Sequence, residues 1–436
     1  MGRWANKYVI GLTGNIGMGK SLVRKMLEHL GAYTIDADGL AHQVMAPGAP
    51  AYQPVIETFG KWILDAEKKV DRTKLGAVAF SHPEALTRLE ALTHPIVGQG
   101  IDTLVSRAKQ PIVVIEAIKL IEGVLGSQVD AIWVVDTAAQ VQLDRLINKR
   151  GMPEYEARKR IDTQNPQRDK LAKASVVITN NGSPEDVWVQ VQREWNKILA
   201  ARGVTQRSED EVRTVTISKQ AQDRAAELPT EPKRPTLPKR PDDAPTGATT
   251  APTVSTTIEP AIAVAPESAP AMMKLTSLNI RRGMPKHANE IAQLVNTGMG
   301  KNLTRDSVMM AFGEKSYLLA EADGKTVGLA GFQVENLITR MDEFVVIPEA
   351  PIAPVAEALI GAVEESSKEL QSEVGFIFLP QDAAMLAQAF VDQGYEKVTL
   401  DSIKVPAWRE AAVESQPANT QILTKKLRAE RVLKPL

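Results

Sequence analysis

The stretch GLTGNIGMGKS, residues 11–21, restricts the possible folds more than any other segment of the chain. Gly14-x-x-x-x-Gly19-Lys20-Ser21 follows the apolar run Tyr8, Val9 and Ile10 and leads into the amphipathic LVRKMLEHL. Strand, glycine loop and helix in this order make a phosphate-binding loop. The glycines let backbone amides turn inward, and the helix N-terminus adds a partial positive charge that favours anions. On this reading Asn15, Ile16, Gly17, Met18, Gly19, Lys20, Ser21 and Leu22 wrap the phosphates of a nucleoside triphosphate. Lys20 reaches the β- and γ-phosphates, and the Ser21 hydroxyl ligates Mg²⁺. The competing reading is a chance glycine turn with an exposed lysine, which the flanking strand and helix disfavour.

At 436 residues the chain has room for two or three domains of roughly 150 residues each. In residues 1–203, KYVIGLTG, AYTID, PIVVIEAI, AIWVVD and SVVIT read as strands. MGKSLVRKMLEHL, AAQVQLDRLINKR and PEDVWVQVQREWNKILA read as helices. Near-continuous apolar strands between helices predict an α/β fold with a parallel sheet covered on both faces. Residues 204–273 read as a linker: Pro229 to Pro270 is Pro-rich and carries PKRP twice, a composition that cannot build a core. The polar stretch from Val204 to Leu228 leaves a marginal helix as an alternative. Residues 274–406 read as a second, mixed α/β domain. There LNIRRG and SYLLAEADGKTVGLAGFQVE are strands with a turn at Asp323-Gly324, and HANEIAQLVNTG, APVAEALIGAVEESSKEL and AAMLAQAFVDQG are helices. Residues 407–436 are expected as a basic tail.

The formal net charge of -1, from 52 Lys and Arg against 53 Asp and Glu, predicts no global attraction to nucleic acid or membrane. Small-molecule partners are expected. Cysteine is absent and His numbers 5, which removes thiolate chemistry and argues against a His-rich metal site. No apolar run approaches the roughly 18 residues that span a bilayer, and a cytoplasmic protein is expected. A guanine-reading Asn-Lys-x-Asp fails, because Asn148-Lys149 is followed by Arg150-Gly151. A first domain of this size suits a small-molecule kinase.

From Tyr8 to about Trp195 the chain resembles the dephospho-coenzyme A kinase family. The likeness is carried by IGLTGNIGMGKS, LGAYTIDADGLAHQVMAPGAPAY, DRTKLGAVAF, LTHPIV, QLDRLINKRG with RIDTQ, and VVITNNG. It implies a P-loop kinase with a parallel sheet, a helical acceptor-binding subdomain and a lid, which uses ATP and Mg²⁺ to phosphorylate the ribose 3′-hydroxyl of dephospho-CoA. Thr34-Ile35-Asp36-Ala37-Asp38 closes a strand at the carboxyl edge of the sheet, where ligands bind in open α/β folds. Asp38 matches the family's catalytic aspartate and would orient the ribose hydroxyl and accept its proton late in transfer. Asp36 would support the loop or the Mg²⁺ hydration shell, or cap the next helix. His42, one helical turn past Asp38, is read as an acceptor contact or a packed helix residue. His94 before Pro95 is an acceptor contact or the cap of a helix break. Arg145, Lys149, Arg150 and Arg160 would form the lid, whose cations meet the charge of the transferring phosphoryl group; an exposed amphipathic helix accounts for the same charges. Glu116 closes a strand and would bind Mg²⁺ through water.

Two departures stand out. Asn15 and Met18 replace the family's usual glycine and serine inside the loop, and Ile118-Lys119 replaces Pro-Leu in EAIKLIE, where Lys119 offers an extra phosphate contact. The second domain looks like a GNAT-type acetyltransferase. Its expected pyrophosphate turn reads Pro348-Glu349-Ala350-Pro351-Ile352-Ala353-Pro354, without glycine or arginine. It is therefore expected to be accessory, with CoA, an acyl-CoA or a protein as its partner; an active N-acetyltransferase is the alternative. Another small-molecule P-loop kinase, or a nucleotide-binding scaffold, are the alternatives for the whole.

Overall fold

The computed structural model describes residues 3–203, 213–216, 273 and 275–432. The Pro-rich segment from Pro229 to Pro270 lies outside them.

In the first domain β1 (Tyr8–Thr13), β2 (Tyr33–Asp36), β3 (Ile112–Glu116), β4 (Ala131–Asp136) and β5 (Val176–Thr179) form a parallel sheet in the order β2-β3-β1-β4-β5. All five residues of β3, IVVIE, are buried, because helices cover both faces. Alternate side chains enter opposite cores. Val9, Val113 and Ile115 pack with Leu40, Ile101 and Leu104, whereas Ile10, Leu12 and Val114 pack with Val23, Leu27, Val191 and Trp195. The latter core lies under α1 (Lys20–His29) and α9 (Pro184–Arg202). Ser183 starts α9 with a reciprocal capping box to Asp186, Pro184 sits at its first turn, and Gly203 ends it in the left-handed conformation.

The other core lies under the helical subdomain: α2 (Ala37–Gln43), α3 (Tyr52–Phe59), α4 (Arg72–Ser81) and α5 (Pro83–Arg107). The helix break considered at His94-Pro95 is absent, since α5 runs through Pro95. Beyond β4 come α6 (Ala139–Asp144), continued as a π turn over Arg145–Lys149, then α7 (Glu154–Asp162) and α8 (Gln167–Leu171).

The second domain is a mixed sheet of eight strands among the described residues, in the order β12-β13-β11-β10-β9-β8-β7-β6. They are β6 (Arg213–Thr216), β7 (Ser277–Gly283), β8 (Ser316–Ala322), β9 (Lys325–Glu335), β10 (Ile338–Val346), β11 (Val374–Pro380), β12 (Glu396–Val398) and β13 (Thr420–Lys426). Only β10 and β11 run parallel. Helices α10 (Ala288–Met299) and α11 (Arg305–Ala311) cover one face; α12 (Ile352–Glu369) and α13 (Ala384–Asp392) pack with the other.

Two expected boundaries need correction. Arg213–Thr216, inside the expected linker, pairs antiparallel with β7 as an edge strand. The expected basic tail is no tail either: it contributes nearly all of α14 (Pro406–Ser415) and all of β13, a strand paired on both sides. Ile422 and Leu423 are buried there, and the polar start and terminal lysines of TQILTKK masked that short apolar centre. Beyond β13, Val432 is 4% exposed and packs into the first domain's core with Leu104 and Val105.

Candidate active site

The phosphate loop joins β1 to α1 at the carboxyl edge of the sheet, and backbone demands explain its glycines. Gly17 and Gly19 have φ of 77° and 93°. A Cβ on Gly19 would stand 2.1 Å from the Asn180 side-chain nitrogen, which donates to the Met18 carbonyl at 2.9 Å. Part of the loop is already committed within the protein. The Asn15 amide donates to Gln167 at 3.1 Å and the Ile16 amide to Gln164 at 2.8 Å, while Gln142 donates to the Ile16 carbonyl at 2.7 Å. The amides opening α1, those of Lys20, Ser21 and Leu22, have no acceptor inside the helix and remain the natural donors to an anion.

Buried Lys20 reaches the Asn15 carbonyl at 3.5 Å. Loss of water lowers its ammonium pKa, against the pull of Glu116 and Asp38. Arg145 lies beside the loop: its Nη2 donates to the Asn180 carbonyl and side-chain oxygen at 2.9 and 3.1 Å. Its Nη1 is buried without a hydrogen-bond partner among the described residues and stands 3.9 Å from the position a Gly19 Cβ would take. An orphaned guanidinium N–H next to a phosphate loop is an open donor for a phosphate oxygen.

Three carboxylates lie at the ends of β2 and β3. Asp36 caps α2, its Oδ1 accepting from the Gly39 amide at 2.9 Å. Asp38, in the first turn of α2, accepts from the Ile118 amide at 3.1 Å. Its carboxyl is pushed up to about 6, chiefly by burial, against the Ile118 bond. Glu116 accepts from Ser21 Oγ at 3.2 Å and from Arg24 Nε at 2.7 Å. Among the described residues no cluster of three or more acidic or His side chains could hold a metal. Ser21 with Glu116 therefore suits an ion that draws most of its ligands from phosphate and water, as Mg²⁺ does.

The other sequence-derived residues divide. His42 lines an open cleft together with Lys69, Arg72 and Leu89, and with Pro406 and Glu410 of the second domain. His94 is exposed on α5. Arg150 is exposed but near enough to Lys20 to oppose its charge. Lys149 lies 3.9 Å from the sulfur of Met310, and Arg160 pairs with Glu156 at 2.7 Å. Lys119, read from the sequence as an extra phosphate contact, pairs its ammonium with Glu90 at 2.6 Å.

Sequence reasoning missed Arg24, Gln164, Gln167 and Lys170. Lys170 is 2% exposed and ties the Ile118 carbonyl to Glu122, at 2.8 and 2.6 Å, so it fixes the peptide whose amide holds Asp38. Polar residues in TQNPQRDK carry no periodic signal, and only RIDTQ pointed to this stretch.

A parallel sheet with a glycine loop after its first strand, acidic residues at neighbouring strand ends and an arginine beside the loop defines a P-loop kinase. The chain belongs to the dephospho-CoA kinase family. That family's model matches residues 8–186. A dephospho-CoA kinase of Thermobifida fusca is 38% identical over 190 residues, 43% of this chain and 95% of the relative. A solved dephospho-CoA kinase from Campylobacter jejuni matches 45% of this chain and 99% of its own, at 26% identity and a TM-score of 0.35. A putative acetyltransferase of Salmonella typhimurium, solved with acetyl-CoA, matches 35% of this chain and 95% of its own, at 11% identity and a TM-score of 0.28. No helix among the described residues is long and apolar enough to cross a membrane.

Proposed function

We propose that the first domain transfers the γ-phosphoryl group of ATP to the ribose 3′-hydroxyl of dephospho-CoA, and that the second domain is accessory. One observation carries this reading: Lys20, the open Nη1 of Arg145 and the raised carboxyl of Asp38 converge around the end of the phosphate loop. The α1 amides and Lys20 hold the β- and γ-phosphates. Arg145 stabilises the charge on the transferring group, and Arg150, Lys149 and Arg160 lie on the segment that would close over it. Asp38, held by the Ile118 amide, orients the acceptor hydroxyl and takes its proton as the new bond forms. Ser21 and Glu116 would hold Mg²⁺, which when bound neutralises phosphate charge. The acceptor would lie along the cleft lined by His42 and Arg72.

The accessory reading is supported by the turn before α12, which has no glycine and whose Glu349 carbonyl accepts from the Met273 amide at 2.8 Å. The test is ADP release with Mg-ATP, comparing dephospho-CoA with AMP, adenosine and no acceptor. Turnover specific to dephospho-CoA, falling at least a hundredfold in Asp38→Asn, is expected. ATP binding without that turnover would leave another acceptor or a nucleotide-binding scaffold.

A further inference from the structure

Two hairpins of the second sheet turn on two residues with positive φ, and they solve that demand differently. Between β8 and β9 the turn is Asp323-Gly324, with φ of 50° and 75°. Between β9 and β10 it is Asn336-Leu337, with φ of 52° and 65°. A two-residue turn of this kind favours glycine at its second position, so a leucine held there is strained backbone retained for its side chain.

That side chain leaves its own domain. Leu337 packs into the first domain's core with Leu40 and Leu104, and its carbonyl is pinned by the Glu373 amide at 2.7 Å. Its neighbours grip the same place. The Asn336 carbonyl accepts from Gln43 Nε2 at 2.9 Å. The Asn336 side-chain oxygen approaches α2 so closely that a Cβ on Gly39 would stand 2.8 Å from it. Glu335 lies 3.9 Å from Arg24, whose other nitrogen holds Glu116. Leu40, Gln43 and Gly39 all belong to α2, the seven-residue helix that carries Asp38. So short a helix has little stability of its own, and its position depends on what packs against it.

We propose that the hairpin tip Glu335–Leu337 of the second domain is a positioning element for phosphoryl transfer, wedged against α2 so that Asp38 is held at the acceptor hydroxyl. The proposal rests on the kinase reading above. The accessory domain thus acts in cis, through packing and backbone contacts rather than a ligand of its own.

The test is Leu337→Gly, which relieves the turn and withdraws the wedge, made in the full chain with Leu337→Met as the conservative partner. The expected result is a kcat for dephospho-CoA at least fivefold lower, with KM for ATP within twofold of the parent. Amide hydrogen exchange should speed at least tenfold across residues 36–43 and stay unchanged in α9, and Leu337→Met should restore both. Parental kcat with parental exchange in 36–43 would overturn the proposal, as would equal acceleration of α2 and α9, which marks general loosening. Should Leu337→Gly not fold, Gln43→Ala takes its place under the same two criteria. If the parent itself does not turn over dephospho-CoA, the kinase reading fails, and exchange confined to 36–43 decides the wedge alone.

Discussion

Asp38 is half-buried at the start of α2, where lost hydration disfavours its carboxylate; the Ile118 amide and Lys20 recover part of that cost, and the carboxyl is left at about 6. Because proton acceptance needs the ionised form, kcat/KM for the acceptor should fall tenfold per unit below about pH 6, a limb that a pH–rate profile would show. The stability consequence has the opposite sign from a salt-bridged aspartate. The native state binds the proton more tightly than the unfolded chain, so stability declines as pH rises from the unfolded value through about 6. Asp38→Asn should therefore stabilise the chain by about 1–2 kcal/mol at pH 7.5 in urea unfolding, after a discount for solvent at this half-buried position. Lys20 was legible in the spacing of the phosphate loop, and Asp38 in the resemblance to the dephospho-CoA kinase family. Arg24, Gln164 and Gln167 were not, because a polar residue that serves a loop looks in sequence like one that faces water.

At the scale of elements, the five strands of the first sheet were legible as apolar β-branched runs, and so was the hairpin turn at Asp323-Gly324. The loop from Ala117 to Glu122 was not. Its Ile118-Lys119 departure bears on the site directly, because a proline at 118 would have no N–H: the Ile118 amide holds Asp38, and the carbonyl accepts from Lys170 at 2.8 Å and Thr13 at 3.1 Å. Lys170→Met should leave that carbonyl and Glu122 short of a donor. The expected loss is about 1–3 kcal/mol of stability by denaturant unfolding, with kcat falling further than KM for ATP rises. Strands β6 and β13 escaped sequence reading for a common reason. β6 has four residues and β13 only two apolar ones, Ile422 and Leu423, too few for a period to emerge, so partner strands rather than propensity define them.

Across the whole molecule, α1 belongs to both domains: it opens on the phosphate loop and ends at His29, whose Nε2 lies 3.1 Å from the Phe312 carbonyl and whose ring meets Phe312 edge-on. Burial lowers the His29 pKa to about 4, helped by Lys25 and opposed by Glu28. Protonation therefore favours the undocked or unfolded chain, and this contribution to stability is complete above about pH 6.5 and is lost as pH falls toward 4. From pH 7 to 5 the His29 contribution by itself should cost about 1–2 kcal/mol, offset in part by the gain at Asp38 over the same window, so His29→Asn should be more stable at pH 5 relative to pH 7 than the parent by about that amount in thermal melts. The sequence by itself determined the phosphate loop, the parallel sheet that presents it, the acidic pair at the end of β2 and the existence of a second domain, because each is written in a motif or period a few residues long. Only the tertiary structure decided that Leu337 and Val432 complete the first domain's core and that Lys170 fixes Ile118. Those contacts join residues far apart in the chain, and no local pattern records which distant surface a side chain will meet.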